Sequence, residues 1–134
     1  MDQSYLNMKK FLSIVPRSLP SLLLMLAIFA FSSRTNSELP NFYNWDYFIK
    51  KSAHAIGYGM LALSYLHMLN WNKKQYWLAW LLAVLYSATD EFHQSFVPGR
   101  HAAITDVLVF DNLGAIIALT SHYLYRRKHE KENE

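Results

Sequence analysis

Residues 76–100 read YWLAWLLAVLYSATDEFHQSFVPGR. From Tyr76 to Ala88 the run is apolar or aromatic apart from Ser87. Asp90, Glu91, His93 and Gln94 then arrive within five residues, and Pro98-Gly99 ends the run. The apolar part has no charged face at helical periodicity, which a helix on the surface of a water-soluble bundle needs. A membrane helix that turns polar at one end fits the stretch. Ionisable groups held at such a place are costly, and they are a functional-site hypothesis by default.

Working outward, three more segments share the apolar character: SLPSLLLMLAIFAFSS from Ser18, SAHAIGYGMLALSYLHMLN from Ser52, and the run from Ala102 to Tyr125. With its flanks each approaches the ~20 residues that cross a ~30 Å hydrocarbon core. The expected architecture is all-α: a polytopic membrane protein with four transmembrane helices, at about 18–33, 52–70, 76–96 and 102–125, in a compact bundle. Residues 1–134 form a single domain, with 1–17 and 126–134 as tails. Pro20 is expected in a first helical turn, where proline is tolerated. A signal peptide is the competing reading of the first segment; three apolar partners assign it to the bundle instead. Residues 34–51 form a polar loop with Phe42, Tyr43, Trp45, Tyr47 and Phe48, an aromatic density that suits a membrane interface.

Composition sets the remaining bounds. Mean hydropathy is -0.00, low for a membrane protein, but nine Tyr and four Trp depress that scale. The net charge of +3 is not spread as an interleaved basic and aromatic surface, so no nucleic-acid partner is expected. There is no Cys, hence no disulfide, thiol nucleophile or Cys-based zinc site.

Lys and Arg set the orientation. The N-terminal tail, the turn at Lys73-Lys74 and the C-terminal tail carry nine (Lys9, Lys10, Arg17, Lys73, Lys74, Arg126, Arg127, Lys128, Lys131). The other side carries four (Arg34, Lys50, Lys51, Arg100). The positive-inside rule puts both termini in the cytoplasm and Asp90–Arg100 outside.

With that topology the ionisable groups of three helices meet at the outer end. Lys51, His54 and Tyr58 make one stripe of the second segment, and Ser87, Glu91 and Gln94 one stripe of the third. Asp106, Asp111 and Asn112 open the fourth. Such stripes face the bundle interior or a hydrated cavity rather than lipid. Cations keep neighbouring carboxylates ionised, whereas desolvation and crowding favour the protonated form. Four carboxylates (Asp90, Glu91, Asp106, Asp111) would share this region with Lys51, Arg100 and the histidines. The resemblance given next narrows them to Glu91, Asp106 and His54 as acid/base or ligand-binding candidates, with Lys51, Tyr58, Gln94, Arg100 and Asp111 as binding candidates. Within the second segment Ala53 and Gly57, and Ala55 and Gly59, stand four apart, a spacing that lets membrane helices approach closely.

These elements resemble the VanZ-like family, small bacterial membrane proteins associated with resistance to the glycopeptide teicoplanin. FIKKSAHAIGYGMLAL is similar to the family's Lys-x-x-His-x-x-x-Tyr-x-x-Leu element through Lys51, His54, Tyr58 and Leu61. DEFHQSFVPGR is similar to its Glu-x-x-Gln-x-x-x-Pro-x-Arg element through Glu91, Gln94, Pro98 and Arg100. Asp106, then Asp111 and Gly114, match the acidic positions and glycine that follow, and IFAFSSRTNSEL resembles the exit from the first helix. One departure stands out. The family's two last-helix positions are usually four apart, but Asp106 and Asp111 are five apart, as if Phe110 were inserted. One extra residue turns the second side chain by about 100°. Either a π-bulge absorbs it or Asp111 leaves the cluster. Asp90 and His93 lie outside the family elements and are read as solvated helix-end positions.

The resemblance implies an inner-membrane protein acting at the cell envelope, without naming a reaction. Three function classes follow. The first is an outward-facing site that binds or acts on a lipid headgroup, a lipid-linked precursor or a lipoglycopeptide, lowering glycopeptide susceptibility. The second is a small transport or proton-handling unit. The third is a structural protein whose outer polar face docks a membrane-protein partner. The residues do not decide between enzyme and binding site. No cofactor is expected. His54, His93, Glu91 and Asp106 lack His-Glu-x-x-His spacing and come from three helices, so no metal site is expected.

Overall fold

Four long helices account for most of the chain, and among the described residues there is no strand. The computed structural model describes residues 3–132, except the side chains of residues 5 and 12–16. The helices are α1 (Gln3–Ser32), α2 (Asp46–Met68), α3 (Tyr76–Gln94) and α4 (Asp106–Glu132). Single 3-10 turns at Tyr43–Trp45 and Lys73–Gln75 lead into α2 and α3.

The apolar segments mark the middles of these helices rather than their ends. α1 starts at Gln3 instead of Ser18, so 3–17 is helical and not an irregular tail. Pro20 thus lies inside a 30-residue helix, not in its first turn. There it removes one backbone donor from the ladder. α2 starts at Asp46 rather than Ser52, because Asp46 accepts from the backbone N of Phe42 (3.2 Å) and pairs with Lys50 (2.8 Å), closing a first turn out of the aromatic loop. α4 runs to Glu132, several residues past the apolar run. Among the described residues one helix, Asp106–Glu132, is long and apolar enough to cross a membrane, and Arg17–Ser32 is a shorter apolar stretch.

α2 is the central element and packs on α1, α3 and α4. The core gathers Tyr58, Leu61, Ala62, Tyr65 and Leu66 of α2, Ala79 and Ala83 of α3, and Ala115 and Leu119 of α4. The two small-residue rows of α2 have different fates. On one row, a Cβ on Gly59 would sit 2.9 Å from Gly114 O, and one on Gly114 would sit 2.0 Å from Ala55 O. Backbone there touches backbone, so α2 and α4 cross at these glycines. On the other row, a Cβ on Gly57 would meet nothing within 4 Å. That row lines a cavity.

One end of the bundle is pinned by polar aromatics. His122 of α4 stacks on Trp71 (centroids 4.8 Å apart) and hydrogen-bonds the Tyr76 hydroxyl (2.7 Å). Arg126 donates to Trp71 O (2.7 Å), and Lys73 pairs with Glu130 (2.5 Å). His67 lies 3.3 Å from Arg17 O. The α2–α3 turn is thereby tied to α4 and α1, which leaves the opposite end for the clustered carboxylates.

Candidate functional site

At that opposite end, α2 begins, α3 finishes and α4 begins, and their polar stripes face one another. Lys51 of α2 pairs with Asp106 of α4. Its ammonium also lies over the Tyr47 and Phe110 rings, 5.4 and 5.5 Å from their centroids. His54 Nδ1 lies 3.2 Å from Asp111 Oδ1, and Ser87 donates to the other oxygen of Asp111 at 2.6 Å. Tyr58 donates to Asp90 Oδ2 at 3.0 Å, and Gln94 donates to the same oxygen at 3.0 Å. Glu91 accepts the backbone N–H of Ala103 and so holds the chain entering α4.

The fate of Asp111 turns on backbone geometry. Asp106–Asp111 is a π-helical turn. Each residue of a π turn advances less around the axis than in an α-helix, so five residues return a side chain to the face that four would reach. Phe110 is absorbed, and Asp111, 2% exposed, points into the bundle with Asp106. Of the two alternatives the spacing allowed, the bulge is the one present. Ser87, Asp111 and His54 are contiguous, but the Ser87 hydroxyl bonds the carboxylate rather than the imidazole. This order is not the Ser–His–Asp relay, in which the imidazole takes the hydroxyl proton.

Asp90 is a correction. It is 3% exposed and fully inside the cluster, not solvated at a helix end. The signal was present in the sequence: Ser87, Asp90, Glu91 and Gln94 stand at i, i+3, i+4 and i+7, one face of a helix. His93 is half-buried rather than solvated. It stacks on Phe29 of α1 (centroids 4.6 Å apart) and lies 3.0 Å from Ser33 Oγ. It belongs to the α1–α3 contact, away from the cluster. Asn112, next to Asp111, accepts from Trp80 Nε1 at 2.7 Å and serves packing.

Arg100 follows the Pro98-Gly99 turn, where Gly99 has φ 75°, a left-handed conformation that glycine takes without strain. The turn folds Arg100 back over the cluster, where its Nε is buried without an acceptor. Two cavities meet there. One, of about 380 Å³, is a largely apolar slot between α1 and α2 that ends at Tyr58, Asp90 and Gln94. The other, of about 360 Å³, is polar and lies against Lys51, Asp106 and the 99–103 loop. Lys50, His54, Gln94 and Arg100 line both. The structure therefore brings together all eight candidates named from sequence and adds Asp90 and Ser87. Among the described residues no group of three or more His, Cys, Asp or Glu side chains is arranged to hold a metal ion.

The stripe Lys51-His54-Tyr58, the element Glu91-Gln94-Pro98-Arg100 and the pair Asp106/Asp111 thus lie on one connected surface. The same chain matches the VanZ/LLP1 family over residues 2–126, nearly its whole length. The protein belongs to the VanZ/LLP1 family. Neither the curated proteins nor the solved structures contain a match to it. The VanZ/LLP1 match includes all eight candidate residues and the α2–α4 glycine crossing.

Proposed function

We propose that this VanZ/LLP1 protein is a four-span protein of the bacterial inner membrane, with both termini in the cytoplasm. Its outward-facing polar site between α2, α3 and α4 binds a lipidic or lipid-linked ligand of the cell envelope, and through that ligand the protein lowers susceptibility to glycopeptides. The observation that carries the reading is an inverted distribution of polarity. Ser87, Asp90, Glu91, Gln94, Asp106 and Asp111 are buried, while Leu22, Leu26, Phe29, Ile56, Leu85, Phe92, Leu108 and Ile117 are exposed. Apolar surface on that scale is rare on a water-soluble monomer and is what lipid contact requires. The nine-to-four division of Lys and Arg supports the orientation.

The contacts favour binding over catalysis. Glu91 accepts a backbone N–H and Asp106 is paired with Lys51, so neither stands as a free base, and Asp111, which accepts from Ser87, is also held by His54. An apolar layer of Leu61, Ala62, Leu66, Ala115 and Leu119 separates the cluster from His67 and His122, which argues against a proton path.

Glycopeptide susceptibility of cells carrying wild type, Glu91→Gln or Arg100→Ala at matched membrane levels tests the proposal. Wild type should lower susceptibility and both variants should lose the effect. Equal behaviour of all three would contradict it.

A further inference from the structure

The two cavities differ in chemistry on either side of their junction. On the slot side, Leu24, Ile28 and Phe31 of α1 face Gly57 of α2, where a side chain would meet open space. Gly57 is therefore not needed for helix contact, unlike Gly59 and Gly114. What its missing side chain leaves is room for an apolar chain.

On the polar side the charges are nearly all matched. Lys50 pairs with Asp46, Lys51 with Asp106, and His54 with Asp111. Arg100 is in no ion pair among the described residues, and its Nε lacks an acceptor. Asp90, which lines the same slot, spends Oδ2 on Tyr58 and Gln94 and leaves Oδ1 buried without a donor. A buried polar atom without a partner calls for an explanation. Here two such atoms, one donor and one acceptor, belong to side chains lining one cavity. An occupant offering both an anionic acceptor and a hydrogen-bond donor at the end of an apolar chain would answer both.

Building on the lipid-binding reading above, we infer that this occupant is a lipid phosphate monoester. Its chain lies in the α1–α2 slot, its anionic oxygens face Arg100, and its P–OH faces Asp90. Arg suits phosphate because its planar fork of donors pairs with two oxygens at once. A monoester monoanion carries donor and acceptor on one phosphorus, which suits a junction bounded by Lys50, His54, Gln94 and Arg100. A phosphodiester with a quaternary ammonium keeps the acceptor but has no donor for Asp90.

The test is native mass spectrometry of the full chain released from maltoside micelles. Dodecyl phosphate, dodecylphosphocholine and inorganic phosphate are titrated separately and in competition. Thermal unfolding of every variant is measured in parallel. Dodecyl phosphate should be retained one to one, at concentrations about tenfold lower than dodecylphosphocholine, a difference of about one charge-assisted contact. Equimolar inorganic phosphate should not displace it. Arg100→Gln should erase the preference, while Arg100→Lys, which keeps the charge, should retain part of it. Gly57→Leu should unfold like wild type and retain neither amphiphile.

Equal binding of the two amphiphiles, or a preference that survives Arg100→Gln, overturns the phosphate assignment. If Gly57→Leu still abolishes binding in that case, the lipid-binding reading stands and only the headgroup falls. Displacement by equimolar inorganic phosphate overturns the assignment of the chain to the slot. Binding unchanged in every variant overturns both the inference and the reading it rests on.

Discussion

Asp111 of α4 meets His54 of α2 at 3.2 Å because the helix carrying Asp111 makes one π turn. The same carboxylate accepts from Ser87 of α3 at 2.6 Å, so a single side chain links three helices. Asp111→Ala would leave the Ser87 hydroxyl and the His54 ring without their partner. Unsatisfied buried groups cost about 1–3 kcal/mol, and that loss is expected in thermal or denaturant unfolding in detergent. Asp111→Asn keeps an oxygen for Ser87 and can turn its amide toward His54, so it should cost clearly less. Equal losses for the two substitutions would remove the carboxamide-tolerant bridge from the account.

The three helical glycines should respond to alanine in opposite directions. Gly114→Ala places a Cβ 2.0 Å from Ala55 O and forces α2 away from α4. Overpacking of this kind costs about 1–3 kcal/mol. Gly59→Ala meets Gly114 O at 2.9 Å and should cost less than Gly114→Ala. Gly57→Ala meets nothing and should be neutral or stabilising by up to about 1 kcal/mol, since alanine is the better helix residue. Unfolding midpoints of the three variants give the order directly.

Asp90 and His93 separate the cluster from its surroundings. Asp90→Ala strands Tyr58 and Gln94 and should destabilise by about 1–3 kcal/mol. His93→Ala loses a stacked ring on Phe29, worth about 0.5–1.5 kcal/mol beyond its area. The order Asp90 above His93 is the expectation, checked by the same unfolding measurement.

At the far end, the Lys73 ammonium 2.5 Å from Glu130 holds that carboxyl below its ordinary value of 4.5. A group whose pKa is lower in the folded state supports the fold above its unfolded pKa. The support is lost as pH falls through the lower, folded value. NMR titration of Glu130 should show a midpoint under 4.5 that returns toward it in Lys73→Ala. The contact is exposed, so high salt should weaken it too.

Much of the site was legible because its residues keep helical spacing. Lys51, His54 and Tyr58 fall on one helix face by spacing alone. The same arithmetic reaches Asp90 through Ser87, Glu91 and Gln94, although Asp90 lies outside the motif that carries Glu91 and Gln94. The π turn was legible only as a fork, since five-residue spacing permits either absorption or departure and packing against His54 and Ser87 decides between them. Helix ends were the least readable. Gln3 to Arg17 and Asp46 to Lys51 are too polar to stand out as apolar segments, yet both continue an adjoining helix, where each added residue costs little beyond a nucleus already formed. The roles of Gly57 and Gly59 could not be told apart from spacing, because only the neighbouring helices distinguish open space from contact.

The central claim is a polar cluster that opens outward from a bundle whose termini lie in the cytoplasm. The chain has no Cys, so single cysteines report topology without background. Ser37→Cys and His101→Cys should react with a membrane-impermeant maleimide on intact spheroplasts. Lys74→Cys and Lys131→Cys should react only after permeabilisation. Labelling of Lys74→Cys and Lys131→Cys on intact spheroplasts, with Ser37→Cys and His101→Cys protected, would place the cluster on the cytoplasmic side and contradict the account.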